Sequence, residues 1–123
     1  MKKRILIAAH DSAIRNLLVE LLSDMFFVNA IDDVAGARIH CKTQNYSIVI
    51  VDNTMSKDRR GIDFVPQIRM AREEMKIILM SGGGISENEA ITAGADTLIS
   101  KPFLPNMGTA VVQVITGLLE EGD

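Results

Sequence analysis

The chain has 123 residues, 47% of them hydrophobic and 24% charged, and a formal net charge of −3. That length suits one domain with a core of its own, and the acidic balance argues against nucleic acid as a direct partner, because phosphate binding needs a basic face. Cys41 is the single cysteine, which excludes an internal disulfide and is read as a small core filler. No apolar run reaches transmembrane length, and the run after the basic start "MKKR" is shorter than the apolar region of a signal peptide, so a cytoplasmic location and no membrane partner are expected.

Ile5–Ala9 is a short apolar run, read as a buried strand. Ser12 is read as the cap of the helix that follows, in which Ile14, Leu17, Leu18, Leu21, Leu22 and Met25 recur at helical spacing. "FFVNAI" is a second strand, and Asp33 caps a weaker helix with Val34, Ala37 and Cys41 on one face. Ser47–Val51 is β-branched or apolar almost throughout and ends at Asp52. A polar loop, "NTMSKDRRG", leads into a helix bearing Ile62, Val65 and Ile68, where Pro66 fits only in the first turn.

Lys76–Met80 is a fourth strand, followed by "SGGG" and a short helix over Glu87–Ala93 that Gly94 stops. Thr97–Ser100 is a fifth strand, followed by "KPF", and the last helix carries Val111, Val114, Ile115 and Leu118. Five successive strand–helix pairs predict a doubly wound α/β fold, a parallel sheet with helices on both faces and strands buried on both sides. In such sheets ligands bind beyond the carboxyl ends of the strands.

The residues at those ends are therefore the candidates for chemistry. Strand one ends in Ala9, His10 and Asp11, strand three in Asp52, strand four in Ser81 and the glycines, and strand five in Lys101 and Pro102. Singly, each has a plain structural use: an Asp turn or cap, a solvated Lys, a Ser in a loop. Together they bring a carboxylate, a hydroxyl and an ammonium to one rim from three separate strands.

"ILIAAHDSAIRNLL", "IVIVDNTM", "IILMSGG" and "AGADTLISKPF" occur in order over nearly the whole chain, and the chain resembles the response-regulator receiver domains of two-component signalling. The resemblance implies a flavodoxin-like (βα)5 fold of strand order 2-1-3-4-5, with a single receiver domain over residues 1–119 and a short acidic tail over 120–123. It implies that Asp52 is the phosphoacceptor, that Ser81, Gly82 and Lys101 bind the phosphoryl group, and that the Lys101–Pro102 bond is cis. It further implies a sensor histidine kinase or phosphotransfer protein as phosphodonor, and a protein partner on the face formed by helix four, strand five and helix five, with Leu98 as switch position. Such a domain is not an enzyme beyond catalysing its own phosphorylation and dephosphorylation.

The family's Mg²⁺ site is where the sequence departs. Receiver domains close strand one with two acidic residues; Ala9 and His10 stand there instead. Mg²⁺ prefers oxygen ligands, so a weak or lost site is expected, made of Asp52, the Thr54 carbonyl and Asp11 as the further candidate, one residue late. Ser56 replaces a customary proline in a loop one residue longer than usual, and Leu98 replaces a customary aromatic. Two readings follow: a receiver phosphorylated on Asp52 that acts through another protein, and a pseudo-receiver that binds partners independently of phosphate. A third, a small flavin or nucleotide binder, rests only on "SGGG", which lacks the spacing of a dinucleotide or P-loop motif.

Overall fold

The computed structural model describes residues 2–54, 60–100 and 107–121. Five parallel strands, β1 (Arg4–Ala8), β2 (Phe27–Ile31), β3 (Ile48–Asp52), β4 (Lys76–Ser81) and β5 (Thr97–Ser100), form one sheet in the order β2-β1-β3-β4-β5. Between and after them lie α1 (Ser12–Leu22), α2 (Val34–Thr43), α3 (Val65–Ala71), α4 (Glu87–Ala93) and α5 (Met107–Glu121), with a 3₁₀ turn at Gly61–Phe64 leading into α3. The flavodoxin-like fold and strand order are as the sequence implied, and α5 runs two residues into the segment read as tail.

The alternation of side chains along the strands divides the core in two. Leu6, Ala8, Val49, Val51, Ile77 and Leu79 point to one face, where Ala37 and Cys41 of α2, Val65 and Ile68 of α3 and Ala90 of α4 cover them. Ile5, Ile7, Ile48, Ile50, Ile78 and Met80 point to the other, covered by Leu18 and Leu22 of α1 and Val111, Ile115 and Leu118 of α5. Each large aliphatic side chain buried in this way contributes roughly 1.5–3 kcal/mol relative to exposure. β3, central and covered on both faces, is buried along its whole length.

Three local expectations need correction. The cap of α1 is Asp11, whose side chain accepts from the Ala13 backbone N–H at 2.8 Å; Ser12 is already the first helical residue. The apolar stripe of α1 is wider than the surface it covers: Leu18 and Leu22 are buried, whereas Leu17 is exposed, as is Met25 beyond the helix end. β2 is not buried on both sides. It is an edge strand paired only with β1, and Phe27 is 57% exposed, with the Lys2 ammonium 5.7 Å from its ring centroid. Pro66 does sit in the first turn of α3, where its missing N–H costs no helical hydrogen bond.

Candidate functional site

Asp52 closes β3 at the carboxyl rim of the sheet and is fully buried, although its side chain is ionisable. Its Oδ1 accepts from the Thr54 backbone N–H at 3.1 Å, a local turn that fixes the carboxylate's orientation. Asn53 organises the next step: its N–H donates to the Met80 carbonyl at 2.8 Å, its own carbonyl accepts from Gly61 N–H at 2.7 Å, and its Oδ1 accepts from Ile62 N–H at 3.1 Å. Thr54 and Arg60 form an antiparallel bridge. The chain thus returns at residue 60 to lie directly on the backbone of Asp52. Gly61 permits this approach, because a Cβ there would sit 2.2 Å from the Asp52 carbonyl oxygen.

On β1, Ala8 pairs with Val51, which sets Ala9 level with Asp52 at the rim. Asp52 is in phase with Ile48 and Ile50, on the face to which Ala9 also belongs. Where a carboxylate would stand beside Asp52, there is a buried methyl group. The His10 side chain is exposed, and the exposed Asp11 carboxylate is engaged as the α1 cap. The Arg15 guanidinium reaches back from α1 and donates through Nη1 to the carbonyls of Ala9 at 2.7 Å and His10 at 2.8 Å. Ala9 and His10 thus bring no carboxylate to the strand end, and Arg15 sets a cation against its carbonyls, where receivers carry an acidic pair.

Among the described residues no group of three His, Cys, Asp or Glu side chains is placed to hold a metal ion. Asp52 is the one carboxylate these residues bring to the inner rim. This donor set does not fit the oxygen-rich octahedral shell of Mg²⁺.

Ser81 ends β4, next to β3 in the sheet, and is 3% exposed. Its hydroxyl donates to the Gly83 carbonyl at 2.9 Å and accepts from the Gly83 N–H at 3.1 Å, folding the side chain back on its own loop. A Cβ on the exposed Gly82 would meet nothing within 4 Å beyond its chain neighbours. Gly83 and Gly84 adopt φ of 136° and 80°, a region costly for other residues. Ser81 pairs in register with Ser100, the residue before Lys101. Lys101, Pro102 and the bond between them, like Ser56, lie outside the described residues. Leu98 is half-buried, pairs with Leu79 and packs against the α2–α3–α4 side of the core.

The structure brings Asp52, Ala9 and Ser81 to the carboxyl rim of adjacent strands, and leaves the side chains of His10 and Asp11 outside. It also shows residues whose use the sequence reading missed. Arg15, Asn53 and Gly61 shape the rim. On α3, Arg69 Nη2 donates to Asp96 Oδ2 at 2.7 Å and to the Gly94 carbonyl at 2.8 Å, while Nη1 donates to the carbonyls of Glu73 and Met75. Asp96 Oδ2 also accepts from Ile77 N–H at 2.8 Å, so the "AGAD" segment is a clamp between α3, α4 and β4. The glycine in "DRRG" was a signal for close backbone approach; nothing in the local pattern announced the Arg69 pairing across 27 residues.

A doubly wound parallel sheet with a buried carboxylate and a hydroxyl at its carboxyl rim defines a flavodoxin-like α/β module whose chemistry lies at strand ends. The family model of the response regulator receiver domain matches residues 5–113, and the chain belongs to that family. It is 31% identical over 121 residues to the chemotaxis protein CheY of Halobacterium salinarum, covering 94% of this chain and 99% of that one. It is 29% identical over 105 residues to the DNA-binding transcriptional regulator NtrC of Azospirillum brasilense, covering 80% of this chain but only 21% of that protein. The crystal structure of a CheY-like receiver domain protein from Methanospirillum hungatei superposes with a TM-score of 0.89 at 24% identity, over 99% of this chain and 97% of that one. Receiver domains are signalling modules of two-component systems rather than enzymes in the ordinary sense. As a family they bind Mg²⁺ in an acidic pocket and work with histidine kinases and downstream effectors. Among the described residues no helix is long and apolar enough to cross a membrane.

Proposed function

We propose that this chain, with residues 1–119 as its receiver unit, is a cytoplasmic phosphoacceptor that takes a phosphoryl group onto Asp52 from a sensor histidine kinase or phosphotransfer protein. The observation that carries the reading is the placement of Asp52 at the carboxyl end of the wholly buried β3, beside Ser81 at the end of β4. A carboxylate oxygen of Asp52 attacks phosphorus. The phosphorus–nitrogen bond of the donor phosphohistidine breaks as the new phosphorus–oxygen bond forms, and the departing imidazole keeps the electron pair and takes up a proton. Ser81 would exchange its two Gly83 bonds for a phosphoryl oxygen, admitted past Gly82, and Lys101 would pair with the added charge. Any weak Mg²⁺ site would be held by Asp52 and the Thr54 carbonyl and would supply charge shielding; no step of the transfer is routed through it.

Loss of the Ser81–Gly83 bonds would free the loop leading into α4, and with it the face of α4, β5 and α5 that we assign to the output partner. Ile91 of α4 is 46% exposed and Leu98 of β5 is half-buried, and these are the apolar side chains that we assign to that contact. The reading is tested by the intact mass of the protein after incubation with a small phosphodonor such as acetyl phosphate. Wild type is expected to gain one phosphoryl mass and Asp52→Asn none. A phosphoryl gain by Asp52→Asn refutes the acceptor assignment, and no gain by wild type points to a binding module that works without phosphate.

A further inference from the structure

The helices α2 and α3 pack side by side on the face of the sheet away from α1 and α5. Between them runs a groove of about 490 Å³ lined by Arg38, Ile39, Lys42, Gln67, Met70 and Ala71. Two of its walls are large apolar side chains left in water: Met70 is 84% exposed and Ile39 55%. Neither helix carries a single acidic residue, in a chain whose 16 carboxylates outnumber its 13 Lys and Arg. The acids nearest in sequence lie beyond the helix ends, and Asp33 is taken up in capping α2 through the Gly36 N–H. Arg69, the one cation of α3, is turned away into its pairing with Asp96. The groove thus has apolar walls flanked by Arg38 and Lys42, with no counter-charge among its lining residues.

We infer that this groove is a second docking surface, and that its occupant is an acidic amphipathic helix of a partner protein. Apolar side chains of that helix cover Ile39 and Met70, and its carboxylates face Arg38 and Lys42. A cleft between two helices takes a helix through anchors at i, i+3, i+4 and i+7. α2 and α3 have ten and seven residues, so they are about 15 and 10 Å long and match an occupant of about two to three turns. The surface involves no residue of the phosphoacceptor site, so it would serve recognition whether or not Asp52 is phosphorylated.

The probe is a synthetic peptide of about 12 residues with leucines at i, i+3, i+4 and i+7 and glutamates elsewhere, titrated into the ¹⁵N-labelled full chain. Amide shifts are expected on Arg38, Ile39, Lys42, Gln67 and Met70. Met70→Glu and the double variant Arg38→Glu with Lys42→Glu should each weaken binding by about fivefold or more, and raising the salt should weaken it further. All three positions line an open groove and Met70 is largely exposed, so the variants are expected to fold; their amide spectra check this directly. The inference is overturned by shifts outside the groove, by an absence of shifts, or by equal binding of a scrambled peptide whose leucines share no face. Two other results also overturn it: sedimentation of the protein with anionic phosphatidylglycerol vesicles in place of peptide binding, which would make the face a lipid contact, and a dimer dispersed by Met70→Glu, which would make it a self-association surface. Asp52→Asn should leave peptide binding unchanged, so this test and the phosphorylation test fail independently.

Discussion

Arg15 donates to the carbonyl oxygen of Ala9 at 2.7 Å, and Ala9 stands level with Asp52 on the neighbouring strand. A guanidinium thus closes the strand end at which the family places carboxylates, while the side chain facing Asp52 is a methyl group. The rim keeps its backbone geometry and loses the oxygen ligands, which separates the scaffold of the site from its metal chemistry.

Restoring the carboxylates should restore the metal. The double variant Ala9→Asp with His10→Asp is expected to bind Mg²⁺ about tenfold or more tightly than wild type, since ligand charge count tunes such oxygen sites. It should also take up phosphoryl faster and unfold more easily, because crowded carboxylates disfavour their own ionisation. Among the described residues Arg15 bonds main-chain oxygens, so its clamp survives the change. Calorimetric Mg²⁺ titration of both proteins checks this; equal affinities would show that Ala9 and His10 do not limit the site.

Gly61 and Gly82 should behave oppositely. A Cβ at Gly61 would lie 2.2 Å from the Asp52 carbonyl oxygen and 2.9 Å from Val51 Cγ1, contacts that only a backbone shift relieves. Gly61→Ala is expected to cost about 1–3 kcal/mol or more in urea unfolding and to slow phosphorylation by displacing Asp52. Gly82→Ala meets open space and should leave stability within about 0.5 kcal/mol of wild type. Its methyl would narrow the approach to Ser81, so it should slow phosphoryl uptake without destabilising the fold.

The Arg69 clamp should matter to stability alone. Arg69 joins Asp96 with the carbonyls of Glu73, Met75 and Gly94, and both charged side chains are about a quarter exposed. Arg69→Met leaves these acceptors without their donor and should cost roughly 1–3 kcal/mol in denaturant unfolding. Asp96→Asn should cost less, since an amide oxygen can still accept from Ile77 N–H. A larger loss in Asp96→Asn than in Arg69→Met would mean that the Asp96–Ile77 bond, and not the arginine, holds the segment.

Cys41 gives a pH dependence of known sign. Burial pushes its thiol from an ordinary 9.0 up to about 11, a rise that the Arg72 cation beside it partly opposes. Below the unfolded value the thiol is protonated in both states and the difference has no effect. Between there and about 11 the unfolded chain loses the proton and the folded chain keeps it, so stability falls as pH rises, by roughly 3 kcal/mol in total. Chemical denaturation of wild type and Cys41→Ala from pH 8 upward isolates this contribution, because the other basic groups titrate in both proteins. Parallel curves would refute it.

The sequence by itself determined the element order, the two-faced core and the identity of the rim. Apolar runs of strand length alternating with helical spacing admit few other folds, and a parallel sheet sends the carboxyl end of every strand to one edge. That places Asp52 and Ser81 on one rim from the sequence alone. Cap and edge effects were less legible. Asp11 and Ser12 can both cap, and only the position of the first helical turn chooses between them. Phe27 reads as core until the sheet order leaves β2 with a neighbour on one side.

What the tertiary structure alone decided were contacts between groups distant in sequence or set by register. Ala9 faces the position of Asp52 because Ala8 pairs with Val51, and Gly61 is needed because the chain returns onto Asp52 nine residues after it leaves. Arg69 finds Asp96 because α3 and the turn before β5 lie together beside β4. Ile39 and Met70 share a groove with Arg38 and Lys42 because α2 and α3 pack against the same strands. Local periodicity encodes which face of a helix is apolar; it does not encode which helix will stand beside it.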